Sequence, residues 1–390
     1  MTGFFIVLVA LGVYGLLQQR VVKILLPPPL PTATTTVSVA TTAVMAQVLL
    51  PIAIPVTADT LTPPPARLAP EQHNDETLPA PAEVKAIYAT AYTALSPRRL
   101  AALIDLIKTT ELNAIVINVK DGEHTFLDGH MAAAIRQLRE AGIYPIARIV
   151  VFQDNELAER NPAVALRRPN GSIWDGGGYR WVDPASQVVW DENVRVAEAA
   201  LALGFAEINL DYVRFPADGA LDQIVYPETR FASTTKVEII RNFLDYFVET
   251  VKGVYPKAII SADIFGYTFL SDTDLGIGQR VVDLADAVDV IAPMVYPSHF
   301  SPNTFGYKNP AAQPYETVRR ALVMGLEKLM AEGHDVTVRP WLQDFDLGAV
   351  YNAAAVREEM RAVTDAGLNA GWMIWSPQNT YDREEFVKKQ

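Results

Sequence analysis

The sequence predicts an α/β fold, a (β/α)8 TIM barrel preceded by an N-terminal hydrophobic segment and a Pro/Thr-rich linker. Three observations carry this reading. From about Glu83, short runs of β-branched and aromatic residues alternate with amphipathic helical patterns, as parallel α/β architecture requires. Eight strand-like runs fit within residues 84–390, and no Gly-x-Gly-x-x-Gly follows the first, which argues against a dinucleotide-binding open sheet. Finally, Glu207, Asn209 and Asp211 share one parity while Ile208 and Leu210 share the other, before Pro216 ends the ladder. A stave with polar groups inside and aliphatics against covering helices reads this way.

In chain order, strands are expected at 84–92, 114–121, 144–152, 207–215, 259–267, 288–296, 336–345 and 371–376. Helical periodicity falls between them, at 97–109, 130–141, 187–203, 236–254, 315–332 and 353–366. Helix 97–109 has Ser96 as a cap and Pro97 at its first position. Gly142, Gly204, Gly333 and Gly367 each follow a helix, where a left-handed C-terminal cap is expected. The connection 153–186, with Asn170-Gly171 and Gly176-Gly177-Gly178, reads as an elaborated loop that shapes a cleft.

Ahead of the barrel, residues 1–26 read as a membrane anchor or signal-like segment, since residues 3–17 are apolar and uncharged. Arg20 and Lys23 lie on its C-terminal side, an arrangement that by itself favours the opposite orientation to the one adopted here. Residues 27–83 are rich in Pro, Thr and Ala and read as a solvated spacer. The expectation is a membrane-anchored, extracytoplasmic domain over residues 84–390.

Composition narrows the chemistry. The 390 residues carry a formal net charge of −12, which disfavours nucleic acid as a partner. There is no cysteine, so thiolate nucleophiles, disulfides and Cys-based metal centres are excluded. The five histidines show no metal-binding helical spacing, and no metal or cofactor is expected.

The C-terminal ends of the expected strands collect carboxylates, a cation and aromatics, the composition a carbohydrate site needs. Asp211, beside Arg214, is the acid expected to stay ionised, because a nearby cation favours the charged form. Asp263, flanked by Ala262 and Ile264, is the better placed to keep its proton and act as acid/base. Structural readings compete: Asp211 as a loop ion pair, Asp263 as a strand-end cap. Asp121 rivals both for either role. Lys120, Arg214, Gln343 and Asp344 join Asp121 as expected substrate contacts, Lys120 with a rim salt bridge as its alternative. Tyr296 and Trp375 are the expected stacking platforms, against plain core packing. Arg148, in an apolar strand, is expected to pair with Glu207 or Asp211.

The stretch 210–216, Leu-Asp-Tyr-Val-Arg-Phe-Pro, together with Ile87-Tyr88, Val119-Lys120-Asp121, residues 292–297 and Trp372-Met373-Ile374-Trp375, resembles the bacterial putative glycosyl hydrolase domain family of the DUF4015 type. The resemblance covers roughly residues 83–382 and implies a TIM barrel related to α-amylase-like glycosidases. One departure matters: the α-amylase pattern has an Arg two residues before the strand-four Asp, whereas here Arg214 follows Asp211. The expected function is cleavage of glycosidic bonds in a polysaccharide or cell-envelope glycan by a two-carboxylate mechanism without a metal. The alternatives are a non-catalytic carbohydrate-binding envelope protein and a barrel enzyme holding a divalent cation on Asp121, Asp211 and Asp263.

Overall fold

The structure is a computed structural model that describes residues 78–389. The expected anchor at 1–26 and all but the last residues of the expected linker at 27–83 lie outside the described residues. Among those described, no helix is long and apolar enough to cross a membrane.

All eight expected strands form, each ending slightly before its sequence pattern does. They are β1 (Val84–Thr90), β2 (Ala114–Lys120), β3 (Tyr144–Val150), β4 (Glu207–Asp211), β5 (Ile259–Phe265), β6 (Val290–Met294), β7 (Trp341–Gln343) and β8 (Gly371–Trp375). Each pairs in parallel with its neighbour, and β8 returns to β1 through Val84↔Gly371 to Ile87↔Ile374, so the sheet is a closed barrel. β7 is led in by a two-residue strand, Thr337–Val338, which pairs with β6. Pro340, with no N–H to give, divides the two pieces. Gly371 opens β8 at φ 87°, where any Cβ would stand 2.1 Å from the Val84 carbonyl oxygen, so closure of the barrel requires glycine there.

The covering helices are α1 (Pro97–Thr109), α2 (Gly129–Glu140), α3 (Gln187–Ala202), α4 (Lys236–Val254), α5 (Pro314–Ala331) and α6 (Ala353–Asp365). Gly142, Gly204, Gly333 and Gly367 all take positive φ after their helices, as expected. Ser96 occupies the N-cap position of α1 without a side-chain cap bond, whereas α4 starts on a full capping box of Thr235 and Glu238.

Alternation along each strand separates two cores. Ile115, Ile117, Ile208, Leu210, Ile260, Ile264 and Ile374 face the helices and join the larger one. Val84, Ala86, Tyr88, Val116, Tyr144, Ile146, Trp341 and Met373 fill the barrel interior. Each fully buried aliphatic contributes about 1.5–3 kcal/mol relative to exposure. Polar groups on the interior face must be matched there, and they stack up β4 in layers. At the floor Glu207 pairs with Arg339 and accepts a 2.7 Å bond from the Ser261 hydroxyl. Above it, Asn209 donates to Ser261 Oγ at 3.1 Å and to Asp263 Oδ1 at 2.8 Å. Asp211 is the top layer.

Candidate active site

Asp211 ends β4 and forms an ion pair with Arg148, the third inward residue of β3, which lies in register with Asn209. The same guanidinium donates to Asn118 Oδ1 on β2 at 2.8 Å, and its Nε stands 4.0 Å from Asp263 Oδ2 on β5. Four adjacent staves therefore meet at one cation. The ring of Tyr88, on β1, lies beneath it with its centroid 5.8 Å from the guanidinium carbon.

Beyond Asp211 the chain turns at Tyr212, whose φ of 53° is left-handed, and the Tyr212 N–H donates to Asp211 Oδ1 at 2.6 Å. That strained residue fixes the carboxylate by a bond from its own backbone neighbour. The turn carries Arg214 into a buried position over the rings of Trp181, Tyr212 and Phe265, 4.6–5.0 Å from their centroids, where it also donates to the Phe215 carbonyl. Of the two partners expected for Arg148, Glu207 and Asp211, it pairs with Asp211; Arg214, the cation expected beside Asp211, is instead packed as a cation–π element.

Asp263 is 1% exposed. Its Oδ1 accepts from Asn209 and, at 2.7 Å, from the indole N–H of Trp341 on β7. Burial pushes its pKa well above the ordinary carboxylate value; the Asp211 charge adds to this, and Arg148 and the two hydrogen bonds oppose it. Tyr296 is also buried, and the pKa of its hydroxyl is raised by burial and by the charges of Asp263 and Asp211.

The other expected contacts divide. Asp121, at the end of β2, binds the N–H groups of Glu123 and His124 through Oδ1 and lies in the wall of a 280 Å³ cavity that includes Asn118. Trp375 is partly exposed and packs 5.0 Å from Phe345 and 5.6 Å from Tyr296, so it forms an edge of an aromatic cluster while Tyr296 lies inside it. Lys120 is a correction. The β2–β3 register shifts between Asn118 and Lys120, a bulge that turns Lys120 outward. There, only 2% exposed, it donates to the Val150 carbonyl and Asn193 Oδ1 and lies 2.7 Å from Asp154 Oδ2, with no donor left for a substrate. Gln343 is buried, and its side chain accepts from the Ser298 N–H and donates to the Phe345 carbonyl, bracing two loops. Asp344, one residue on, has the opposite parity and lies near Ser376, Asp346 and Asp382 on the outer side of β7, where burial raises its pKa to about 6. Among the described residues, no three His, Asp or Glu side chains are placed to hold a metal together.

Sequence reasoning gave Arg148 only a pairing role and passed over Asn118 as a ligand of it. Their signal was parity: both stand at inward positions of β2 and β3, in register with one another.

A closed parallel barrel with ionised side chains meeting at the C-terminal ends of its strands defines the class of (β/α)8 barrels, which place their sites at that rim. Within that class, the chain belongs to the family described as "Putative glycosyl hydrolase domain" (DUF4015), which it matches over residues 86–381. No curated protein matches the sequence. Among solved structures, the β-galactosidase of the psychrophilic Marinomonas ef1 is similar at 10% identity and a TM-score of 0.54, over 77% of this chain and 55% of that one. Eubacterium rectale Amy13B is similar at 12% identity and a TM-score of 0.50, over 79% of this chain and 69% of that one. A hypothetical protein from Ruminiclostridium thermocellum is 29% identical over 45% of this chain and 96% of its own, with a TM-score of 0.40. The likenesses to the β-galactosidase and to Amy13B are likenesses of fold.

Proposed function

We propose that this domain hydrolyses glycosidic bonds of a polysaccharide or cell-envelope glycan with Asp211 and Asp263 as its two carboxyl groups. The observation that carries the reading is the shared guanidinium. Arg148 pairs with Asp211, while Asp263 lies 4.0 Å from the same cation in a position where burial favours its protonated form. Two acids in one site with opposed environments are what glycoside hydrolysis requires. In this reading Asp211 attacks, or electrostatically supports, the anomeric carbon as positive charge develops there. Asp263 gives its proton to the departing glycosidic oxygen as the bond from the anomeric carbon to it breaks; water then adds its hydroxyl to that carbon, displacing Asp211 where it has bonded, and returns its proton to Asp263. Trp341 and Asn209 hold the Asp263 carboxyl in orientation throughout.

A second assignment of the proton donor has its own observation. Asp263 is all but sealed, whereas Asp121 stands in the wall of the open cavity. Asp211→Asn, Asp263→Asn and Asp121→Asn, screened with wild type against a glycan panel and read by mass of released products, separate the readings. Asp211→Asn is expected to abolish turnover and Asp263→Asn to lower it about 10²–10⁴-fold, the usual worth of a positioned acid. If that loss falls on Asp121→Asn instead, the donor is Asp121. A wild type that binds glycans but cleaves none is a carbohydrate-binding barrel.

The same reading places the domain outside the cytoplasm, tethered by residues 1–26 and spaced by residues 27–83, with the apolar run 3–17 as its support. Fractionation of the full-length chain into the membrane pellet is the expected result; recovery in the soluble cytoplasmic fraction overturns it.

A further inference from the structure

Beside the Arg148 centre, the 280 Å³ cavity is flanked by two tyrosines that are unusually open for aromatic residues. Tyr92 is 62% exposed and Tyr179 48% exposed, and both line it. They come from different parts of the chain. Tyr92 lies just after β1, in the short helix Ala91–Ala94, with its ring held edge-on by Phe126 at 5.0 Å between centroids. Tyr179 stands on the small hairpin formed by Asp175–Gly176 and Tyr179–Arg180 within the elaborated loop after β3. Two exposed aromatic residues in the wall of one cavity, rimmed by polar groups, are the kind of surface that marks a ligand-binding groove. The cavity wall between them holds Asn118, the residue that binds Arg148, and the acids Asp121 and Glu123. Its lining contains no lysine or arginine.

We propose that this cavity is a sugar-binding subsite next to the reacting bond, in which Tyr92 and Tyr179 stack on a pyranose unit that carries no acid group. The inference rests on the proposed glycosidase reading for its position in the reaction, but not for its existence as a binding site. Sugar rings present C–H faces to aromatic rings and hydroxyls to carboxylates and amides, which is the lining found here. Two acids without a cation set an electrostatic barrier to uronic acid units while accepting neutral or amino sugars. Asn118 then joins the subsite to the centre: one face lines the cavity, and its Oδ1 holds the guanidinium that pairs with Asp211.

The test uses the full-length Asp263→Asn chain, which slows turnover and keeps the Arg148–Asp211 pair beside the cavity intact, titrated calorimetrically with cellohexaose, maltohexaose, a glucosamine hexamer and hexagalacturonate. At least one of the first three is expected to bind, with hexagalacturonate at least about tenfold weaker, a difference of ~1.4 kcal/mol. Tyr92→Ala and Tyr179→Ala, both at exposed positions, are each expected to weaken the bound sugar about tenfold, and the Phe variants to keep most of the affinity because the ring face remains. Asp121→Asn combined with Glu123→Gln is expected to narrow the gap to hexagalacturonate. Equal or tighter binding of hexagalacturonate overturns the proposal, as do affinity indifferent to both tyrosines and failure of all the acid-free oligosaccharides to bind. Tyrosine-dependent binding in a chain whose wild type cleaves nothing in the glycan panel leaves the subsite standing and removes the glycosidase reading; cleavage indifferent to the tyrosines does the reverse.

Discussion

Trp341 donates its indole N–H to Asp263 Oδ1 at 2.7 Å, so a residue of the seventh stave sets the acid of the fifth. The bond favours the ionised carboxylate and holds the Asp263 pKa lower than burial alone would leave it. Trp341→Phe keeps an aromatic ring but removes the donor, so the Asp263 pKa rises further. An acid that must be protonated then works to higher pH. The alkaline limb of the rate–pH profile is expected to move upward in Trp341→Phe; an unmoved limb assigns it to another group.

Arg148 is the hinge of the site's electrostatics, and lysine is not expected to replace it. A guanidinium reaches Asn118, Asp211 and Asp263 from one planar group, whereas an ammonium on a flexible stem does not reproduce that fork. Arg148→Lys should lower kcat at least about tenfold with little change in the affinity of the neighbouring subsite. Turnover equal to wild type would show that the net charge alone suffices.

At the barrel floor, Arg339 and Glu207 are 3% and 0% exposed and pair with each other. Arg339→Met leaves a buried carboxylate whose remaining partners are the hydroxyls of Ser261 and, at 3.4 Å, Tyr144. Breaking a buried pair from one side costs about 3–5 kcal/mol, mostly as the unmatched charge. Urea unfolding should show that loss, while activity per folded molecule near neutral pH changes little, because the floor lies two layers below Asp211.

Glu385 is 4% exposed, and burial, reinforced by the Asp344 charge, raises its pKa to about 8. Its folded-state pKa thus lies above the usual carboxylate value of about 4.3. The folded protein holds this proton more tightly than the unfolded chain, so the contribution to stability is full below about pH 4.3 and is lost as pH rises toward 8. Asp344, raised to about 6, adds a decline of the same sign over a narrower range. Glu385→Gln should flatten the fall in Tm between pH 5 and 8 relative to wild type. Parallel curves for the two proteins would refute this.

Much of the architecture was legible because two periods leave a clear trace. Alternation of period two gave all eight staves and the inward parity of Glu207, Asn209 and Asp211, and glycine after a helix gave the four left-handed caps. Of the stretches that carried the family resemblance, the most specific, Leu210 to Pro216, holds the strand end where the site stands. Contacts set by irregular backbone were not legible. The bulge after Asn118 reverses Lys120, and the left-handed turn at Tyr212 carries Arg214 into an aromatic cage.

Which cation pairs with Asp211 was likewise a question of register between strands far apart in sequence, and only the closed barrel answers it. Tyr92 and Tyr179 became visible as a pair only when a loop hairpin was folded over the end of β1. Sequence by itself determined which side chains point inward, because strand parity is a local property of the backbone. Tertiary structure decided which of them meet and which are sealed, because distance and desolvation depend on neighbours supplied by other staves.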